Sequence, residues 1–339
     1  MNPLSFSIVI PCRNEEKYII RCLQSVFQNN YHAEKLEVIV CDGMSNDNTR
    51  SLLEEYRRQQ PQLQYLDNPK KTTQFALNLG IQKSRMEVVM ILGAHAELAP
   101  GYFEVCNRIL QAMPEVMCVG GVLENIYEDP RSAVIAQAMS SPFGVGSAHF
   151  RTGARSGAVD TVAFGCYRRA VFEQVGLFDE QLVRNQDDEF NYRLQKNNLM
   201  IWLTTETSVK YFVRASFSKL FRQYYQYGYW KVFVNRKHHA VTSMRQLVPL
   251  GFVLFVLLGW LPALLTPLWL LVYAGIWLLY LSAAALFAVQ KSSSIRNGLL
   301  TIYSFLLLHG SYGWGYLRGI VDFLLLQKNP SAHAKQLTR

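Results

Sequence analysis

FSIVIP, Phe6–Pro11, and LEVIVCD, Leu36–Asp42, are the two runs on which the fold of this 339-residue chain turns. Each is short, apolar and rich in β-branched residues, and reads as a buried strand. Between them Ile19, Cys22, Leu23, Val26 and Phe27 recur at helical spacing. The alternation continues with a helical segment around 47–59, a strand at Leu63–Leu66, a helix over 73–84 and a strand at Glu87–Leu92. This order predicts an α/β fold with a mostly parallel sheet flanked by helices and ligands at the carboxyl ends of the strands. Beyond residue 113 the pattern loosens. Cys118–Leu123 and Thr161–Arg169 read as strands and 187–197 as a helix. Residues 141–158, rich in Gly and Ser, read as a long loop of the kind that is functional or disordered.

Charge divides the chain near residue 207. The first part is mildly acidic, whereas Asp322 is the only carboxylate beyond residue 206, against 14 Lys and Arg. A basic, strongly apolar region suits a membrane more than nucleic acid. Leu247–Val289 runs for 43 residues without a charge, enough for two spans of about 20 residues each, with Pro262 and Pro267 at the turn. A soluble helical pair would show a polar face, and this run has none. Leu299–Leu326 is a candidate third span or interfacial segment. Arg214–Lys237 interleaves Phe, Tyr and Trp with Lys and Arg, a composition that favours the lipid headgroup layer. The expected organisation is therefore a globular domain over 1–210, an amphipathic interface segment over 211–246, a membrane region over 247–327 and a basic tail over 328–339. The six cysteines all precede residue 207, and none is spaced as CxxC. They read as reduced, buried thiols in the cytosol. Met1–Arg13 lacks the basic start and long apolar core of a signal peptide.

The chemistry-bearing residues cluster where strands end. The first strand closes in Pro11-Cys12-Arg13-Asn14-Glu15, and the second in Asp42-Gly43-Met44-Ser45-Asn46-Asp47. Two acidic tips side by side make a pocket for ribose hydroxyls and base N–H groups, and Asp42-Gly43 suits a tight turn. Ser45 or Asp47 also suits a helix N-cap. Asp187, Asp188 and Glu189 form an acidic first turn, which the helix dipole favours.

In this ordered combination the chain resembles glycosyltransferase family 2, inverting enzymes with the GT-A fold. Pro11–Glu15 matches PxxNE and Asp42–Asp47 matches DGxSxD. Asn68, Pro69, Ala76, Leu77, Asn78 and Gly80 resemble the nucleotide-side segment. Gly165–Arg169 (GCYRR) with Phe178-Asp179-Glu180 resembles the start of the acceptor side. Gln186–Phe190 with Arg193 resembles the ED motif, and Gln223–Gly228 a variant of QxxRW. The resemblance covers residues 6–240 and is strongest to the succinoglycan-biosynthesis glucosyltransferase-like group, which also carries C-terminal membrane helices.

The resemblance implies a nucleotide-sugar donor, often UDP-linked, held by Pro11, Asn14, Glu15, Asp42, Ser45, Asp47, Gly93 and Ala94. It implies Asp187 as the base that deprotonates an acceptor hydroxyl, with Gly165, Gln186, Arg193, Gln223 and Tyr227 on the acceptor and diphosphate side. Gln186 replaces the usual Glu. The family's Asp-x-Asp holds a divalent cation, Mn²⁺ or Mg²⁺, and here reads Gly93-Ala94-His95. That leaves His95 as the one metal-ligand candidate in register, better suited to Mn²⁺ than to Mg²⁺. The implied partners are a nucleotide sugar, a lipid-linked acceptor and the inner (cytoplasmic) membrane, crossed more than once with the catalytic domain cytosolic. Three functions follow: transfer to a hydroxyl of a lipid-linked saccharide, loading of a sugar onto polyprenyl phosphate, or a catalytically silent nucleotide-sugar-binding subunit.

Overall fold

The computed structural model describes residues 2–153, 155–213, 216–290, 292 and 294–330. The last nine residues of the expected basic tail, and Arg214 of the aromatic–basic segment, lie outside the described residues. The chain divides into two compact units, one of residues 1–124 and 149–212, the other of residues 125–148 and 213–339.

The first unit opens as the pattern predicts: β1 (Phe6–Cys12), α1 (Ile19–Phe27), β2 (Leu36–Asp42), α2 (Thr49–Gln59), β3 (Leu63–Asp67), α3 (Thr73–Lys83) and β4 (Val88–Ile91). It continues through β5 (Ala96–Leu98), α4 (Tyr102–Ala112) and β6 (Val116–Ile126). After α5 (Pro130–Met139) and α6 (Pro142–Val145), which belong to the second unit, come α7 (His149–Thr152), β7 (Gly157–Ala158), β8 (Cys166–Arg168), α8 (Ala170–Val175), α9 (Gln186–Lys196) and β9 (Met200–Phe212). The strands form one sheet in the order β3-β2-β1-β4-β8-β6-β9-β5, with β7 on β9. β3, β2, β1 and β4 are parallel, with Ile8 paired to Val38 and to Met90. β8 runs antiparallel to both β4 and β6. The parallel half carries the buried apolar runs, because helices cover both of its faces. Gly80 lets α3 approach closely: a Cβ there would lie 2.3 Å from Val9 Cγ1.

Two expectations shift. The strand expected over 161–169 shrinks to Cys166–Arg168, because Phe164 takes φ +51 and breaks the extended backbone. The loop expected over 141–158 contains two short helices. Ser141 caps α6 by accepting from Phe143 N–H, Pro142 opens it, and Gly146 at φ +62 ends it.

The second unit contains α10 (Phe217–His238), α11 (Leu247–Leu258), α12 (Trp269–Val289) and α13 (Ile295–Gly319). Two stretches, Met244–Leu264 and Trp269–Val289, are long and apolar enough to cross a membrane, and only 6% of each is buried within the protein. That exposure separates them from core helices of a soluble protein. α12 spans about 31 Å at 1.5 Å per residue, the thickness of a hydrocarbon core. α10 lies within the strip expected over 211–246, and one face of it is buried in the second unit. Leu220, Gln223, Tyr224, Tyr229, Trp230 and Phe233 are buried. It packs backbone to backbone on α13, where a Cβ on Gly315 would lie 2.0 Å from the Tyr225 carbonyl oxygen and one on Gly228 2.0 Å from that of Tyr312. Small residues permit this approach, as at helix interfaces in lipid. Residues 125–148 join the same unit: Gln137 donates to the Ala288 carbonyl at 2.7 Å, and His309 Nε2 lies 2.9 Å from that of Phe143.

Candidate active site

The carboxyl ends of β1, β2, β3 and β4 converge, and backbone hydrogen bonds fix them to one another. Gly43 N–H donates to the Cys12 carbonyl at 2.7 Å, and Asn68 N–H to that of Asp42 at 2.7 Å. A Cβ on Gly43 would meet Arg13 Cβ at 3.2 Å and the Lys71 carbonyl oxygen at 3.3 Å, so three loops approach at that point. Asn14, Met44 and Lys71 all take positive φ there.

Asp42 is fully buried. Its Oδ2 accepts Ser45 N–H at 3.0 Å, the Ser45 hydroxyl donates to its Oδ1, and Arg50 Nε lies 3.9 Å away. Ser45 Oγ also accepts Asn14 N–H at 2.8 Å, and Asn14 Oδ1 accepts Asn46 N–H at 2.9 Å. Glu15 is anchored through its N–H to Thr49 Oγ1 at 2.8 Å, and its buried carboxylate lies 3.5 Å from His95 Nδ1. Asp47 accepts Thr49 N–H at 3.0 Å and Glu16 N–H at 3.3 Å. Slight burial pushes its pKa up, but the Thr49 hydroxyl and these N–H donors outweigh that, and the net direction is down. Pro11, next to last in β1, pairs with Cys41, and Ala94 lies in the core. A Cβ on Gly93 would meet Phe164 Cε1 at 2.9 Å and His95 Cε1 at 3.7 Å. The His95 ring is edge-on to Tyr211 with centroids 5.1 Å apart. Pro11, Asn14, Glu15, Asp42, Ser45, Asp47, Gly93 and His95 are thus gathered at one rim.

Asp187 stands in the first turn of α9, after Asn185 at φ +60. The approach to it is held by α3: Asn78 exchanges two 2.9 Å hydrogen bonds with the backbone of Phe178, and Gln74 donates to the Glu180 carbonyl at 3.1 Å. Arg193 does not extend outward from the helix. It pairs with buried Glu189 at 2.9 Å and donates to the carbonyls of Leu177, at 2.7 Å, and Val175. Gly165 presses β8 on its neighbour, since a Cβ there would lie 2.6 Å from Cys118 Sγ. Gln186 Oε1 is buried without a hydrogen-bond partner. Gln223 and Tyr227, hydrogen-bonded at 2.8 Å, lie in the second unit.

Asp187 is open to solvent, yet dense protein surrounds it at longer range. The accessibility governs what can touch it, and the surrounding protein governs its charge. Desolvation, then the Asp188 carboxylate, raise its pKa above the ordinary aspartate value. N–H donors at the helix start and the Arg151 guanidinium pull against that rise. A carboxyl shifted upward while accessible is suited to take a proton near neutral pH.

The profile of glycosyl transferase family 2 matches residues 7–176. The chain belongs to this family. Among family-2 relatives, a dolichyl N-acetyl-α-D-glucosaminyl phosphate 3-β-D-2,3-diacetamido-2,3-dideoxy-β-D-glucuronosyltransferase of Methanococcus voltae is 28% identical over 93% of this chain and 97% of its own. The succinoglycan biosynthesis protein ExoA of Rhizobium meliloti is 28% identical over 93% and 95%. A mannosyltransferase of Pyrobaculum calidifontis, solved with GDP-Man and Mn²⁺, superposes with a TM-score of 0.60 at 16% identity over 95% of this chain and 88% of its own. This family-2 enzyme is a glycosyltransferase with the GT-A fold, and its two apolar helices suggest membrane association.

The metal expected at His95 fits less well. Among the described residues no three His, Cys, Asp or Glu side chains converge to hold an ion. The position of the family's first Asp is Gly93, covered by Phe164. One imidazole beside one carboxylate does not make a resident site for Mg²⁺, which demands near-octahedral oxygen ligation. Reading the sequence missed Phe164, Thr49 and Arg151. The signal for Arg151 was its place in the Gly- and Ser-rich stretch, and Thr49 follows directly on the DGxSxD motif. Nothing local marks Phe164.

Proposed function

We propose that the protein is an inverting glycosyltransferase that moves a sugar from a nucleotide-sugar donor, a UDP-sugar, to a hydroxyl of a lipid-linked saccharide in bacterial exopolysaccharide or cell-surface glycan synthesis. The observation that carries this reading is Asp187: an accessible carboxyl with a raised pKa at a helix start, in a family-2 fold whose strand tips present buried Asp42 and Glu15. Asp42, Glu15 and Asp47 receive ribose hydroxyls and base N–H groups. The hydrogen bonds from Ser45 to Asp42, and from Thr49 and Glu16 to Asp47, fix those two carboxylates before the donor arrives, which lowers the cost of ordering them.

In the reaction Asp187 accepts the proton of the acceptor hydroxyl as that oxygen attacks the anomeric carbon, and the nucleoside diphosphate leaves from the opposite face. Gln186 orients a hydroxyl next to the base, a role supported by its Oε1 having no hydrogen-bond partner within the protein. The two exposed apolar helices hold the enzyme at the cytosolic side of the inner membrane, where positive charges before Leu247 favour that side. One long relative is named for transfer to a dolichyl N-acetylglucosaminyl phosphate and the other for succinoglycan biosynthesis, and the first name supports a lipid-linked acceptor.

The test is transfer from a panel of labelled nucleotide sugars, UDP-linked first, into lipid extract from the source membranes. Label in an organic-soluble saccharide supports the reading, and label in polyprenyl phosphate without prior glycan refutes the hydroxyl acceptor.

A further inference from the structure

Departure of a nucleoside diphosphate leaves negative charge that fixed donors or a cation must meet. The register that holds a cation in the family here offers Gly93 under Phe164, and no three-ligand group exists among the described residues. A positive charge has to be sought elsewhere in the first unit, and one guanidinium is conspicuous there.

Arg151 lies in α7, a single turn whose position is set by its neighbours. Phe150 packs on the cores of both sheet faces. Gly153, at φ +63, closes the turn with an N–H to the His149 carbonyl at 2.9 Å and lies against Val122 of β6. Arg151 Nη1 is buried and has no hydrogen-bond partner. A buried guanidinium N–H left unpaired is costly, and an always-charged, planar donor set matches phosphate oxygens. Its charge pulls the pKa of Asp187, the proposed base, downward. Three other arginines near α9 and β8 are committed: Arg193 to Glu189 and two carbonyls, Arg168 to the carbonyls of Val116 and Leu110, Arg169 to Met86 and Ser84.

We propose that Arg151 is a phosphate-binding residue, taking the phosphate of the donor's diphosphate or of the lipid carrier. Its part in the transfer reaction rests on the proposed function, while the phosphate contact does not.

The experiment measures binding rather than turnover, with full-length detergent-solubilised protein. Inorganic pyrophosphate and polyprenyl phosphate are titrated against the wild type, Arg151→Lys, Arg151→Gln and Asp187→Asn. Loss of one charge-assisted bond pair weakens binding by about tenfold or more. Weaker pyrophosphate binding by Arg151→Gln with polyprenyl phosphate unchanged assigns the donor diphosphate, and the reverse assigns the lipid phosphate. Arg151→Lys, which keeps the charge and loses the fork, is expected between wild type and Arg151→Gln and guards against misfolding. Equal affinities in wild type and both Arg151 variants, or no binding of either probe by the wild type at millimolar concentration, overturn the proposal. Asp187→Asn is expected to bind both probes at least as well as wild type. If that variant still transfers sugar, the base assignment fails while the Arg151 result stands.

Discussion

The Phe164 ring covers Gly93 so closely that a Cβ on residue 93 would lie 2.9 Å from Phe164 Cε1. Phe164 reaches this place from a backbone at φ +51, a conformation that costs a bulky residue roughly 1–3 kcal/mol and that clusters at functional sites. Gly93 and Phe164 therefore act as one unit: the missing carboxylate leaves the space that the ring fills. Gly93→Asp, which restores the first Asp of the family's Asp-x-Asp register, is expected to lower stability by about 1–3 kcal/mol through overpacking. Adding Phe164→Ala should return part of that loss, so the double-mutant cycle shows coupling. Chemical denaturation of the four proteins measures it, and strict additivity would disprove the unit.

Asp187 carries a linked prediction for rate and stability. A carboxyl whose pKa is higher folded than unfolded stabilises the fold fully below its unfolded pKa, about 4, and loses that contribution as pH rises through the folded value. The raised pKa of Asp187 thus makes its ionised form a stability cost at neutral pH. Asp187→Asn should melt at or above the wild-type temperature at pH 7–8, with the gap closing as pH falls toward 4. The same variant should lose about 10²–10⁴-fold in transfer rate. In the wild type the acid limb of kcat/KM should lie above the ordinary aspartate range. A variant that melts lower at pH 8 but no differently at pH 4 would have the wrong sign.

Asp42 is expected to matter twice. Its buried carboxylate takes both the N–H and the hydroxyl of Ser45, and Ser45 in turn holds Asn14 N–H. Asp42→Ala leaves those donors without their acceptor and should cost about 1–3 kcal/mol in denaturant midpoint analysis. Uridine nucleotide affinity, read by calorimetry, should fall further than it does for Ser45→Ala, which leaves the carboxylate in place. Equal affinity in Asp42→Ala and wild type would remove Asp42 from the donor site.

How much of this was legible in the sequence follows from the range of the contacts. β1 to β4 announce themselves because buried parallel strands are continuous apolar runs, and their tips because Asp42-Gly43 and the residues that follow are local turn chemistry. Asp187 at the start of α9 was readable for the same reason. Phe164 was not, because its meaning depends on a glycine 71 positions earlier in the chain. Arg151 needed its own burial to be known. Residues 125–148 carry no composition that assigns them to the second unit; the bonds from Gln137 to Ala288 and between Phe143 and His309 do so. The aromatic and basic residues of α10 looked like a headgroup-layer strip, since composition does not reveal that Gly228 and Gly315 bring α13 against it.

Those glycines yield a sharp contrast. A Cβ on Gly315 would lie 2.0 Å from the Tyr225 carbonyl oxygen, and the obstacle is backbone, which has no rotamer to yield. Gly275 in α12 has nothing within 4 Å of the same construction. Alanine is favoured over glycine in a helix by about 1 kcal/mol, so helix propensity alone would make both substitutions stabilising. At Gly275 that gain should appear unopposed. At Gly315 the collision forces α10 and α13 apart along the seam where Tyr229, Phe233 and Phe323 pack, with Tyr229 and Phe323 centroids 4.6 Å apart. Overpacking there is expected to outweigh the propensity gain and leave a net loss of about 1–2 kcal/mol or more. Thermal aggregation of the detergent-solubilised variants measures both, with Gly315→Ala falling below wild type and Gly275→Ala at or above it. Equal melting of the two would show that the α10–α13 seam is loose enough to open without cost.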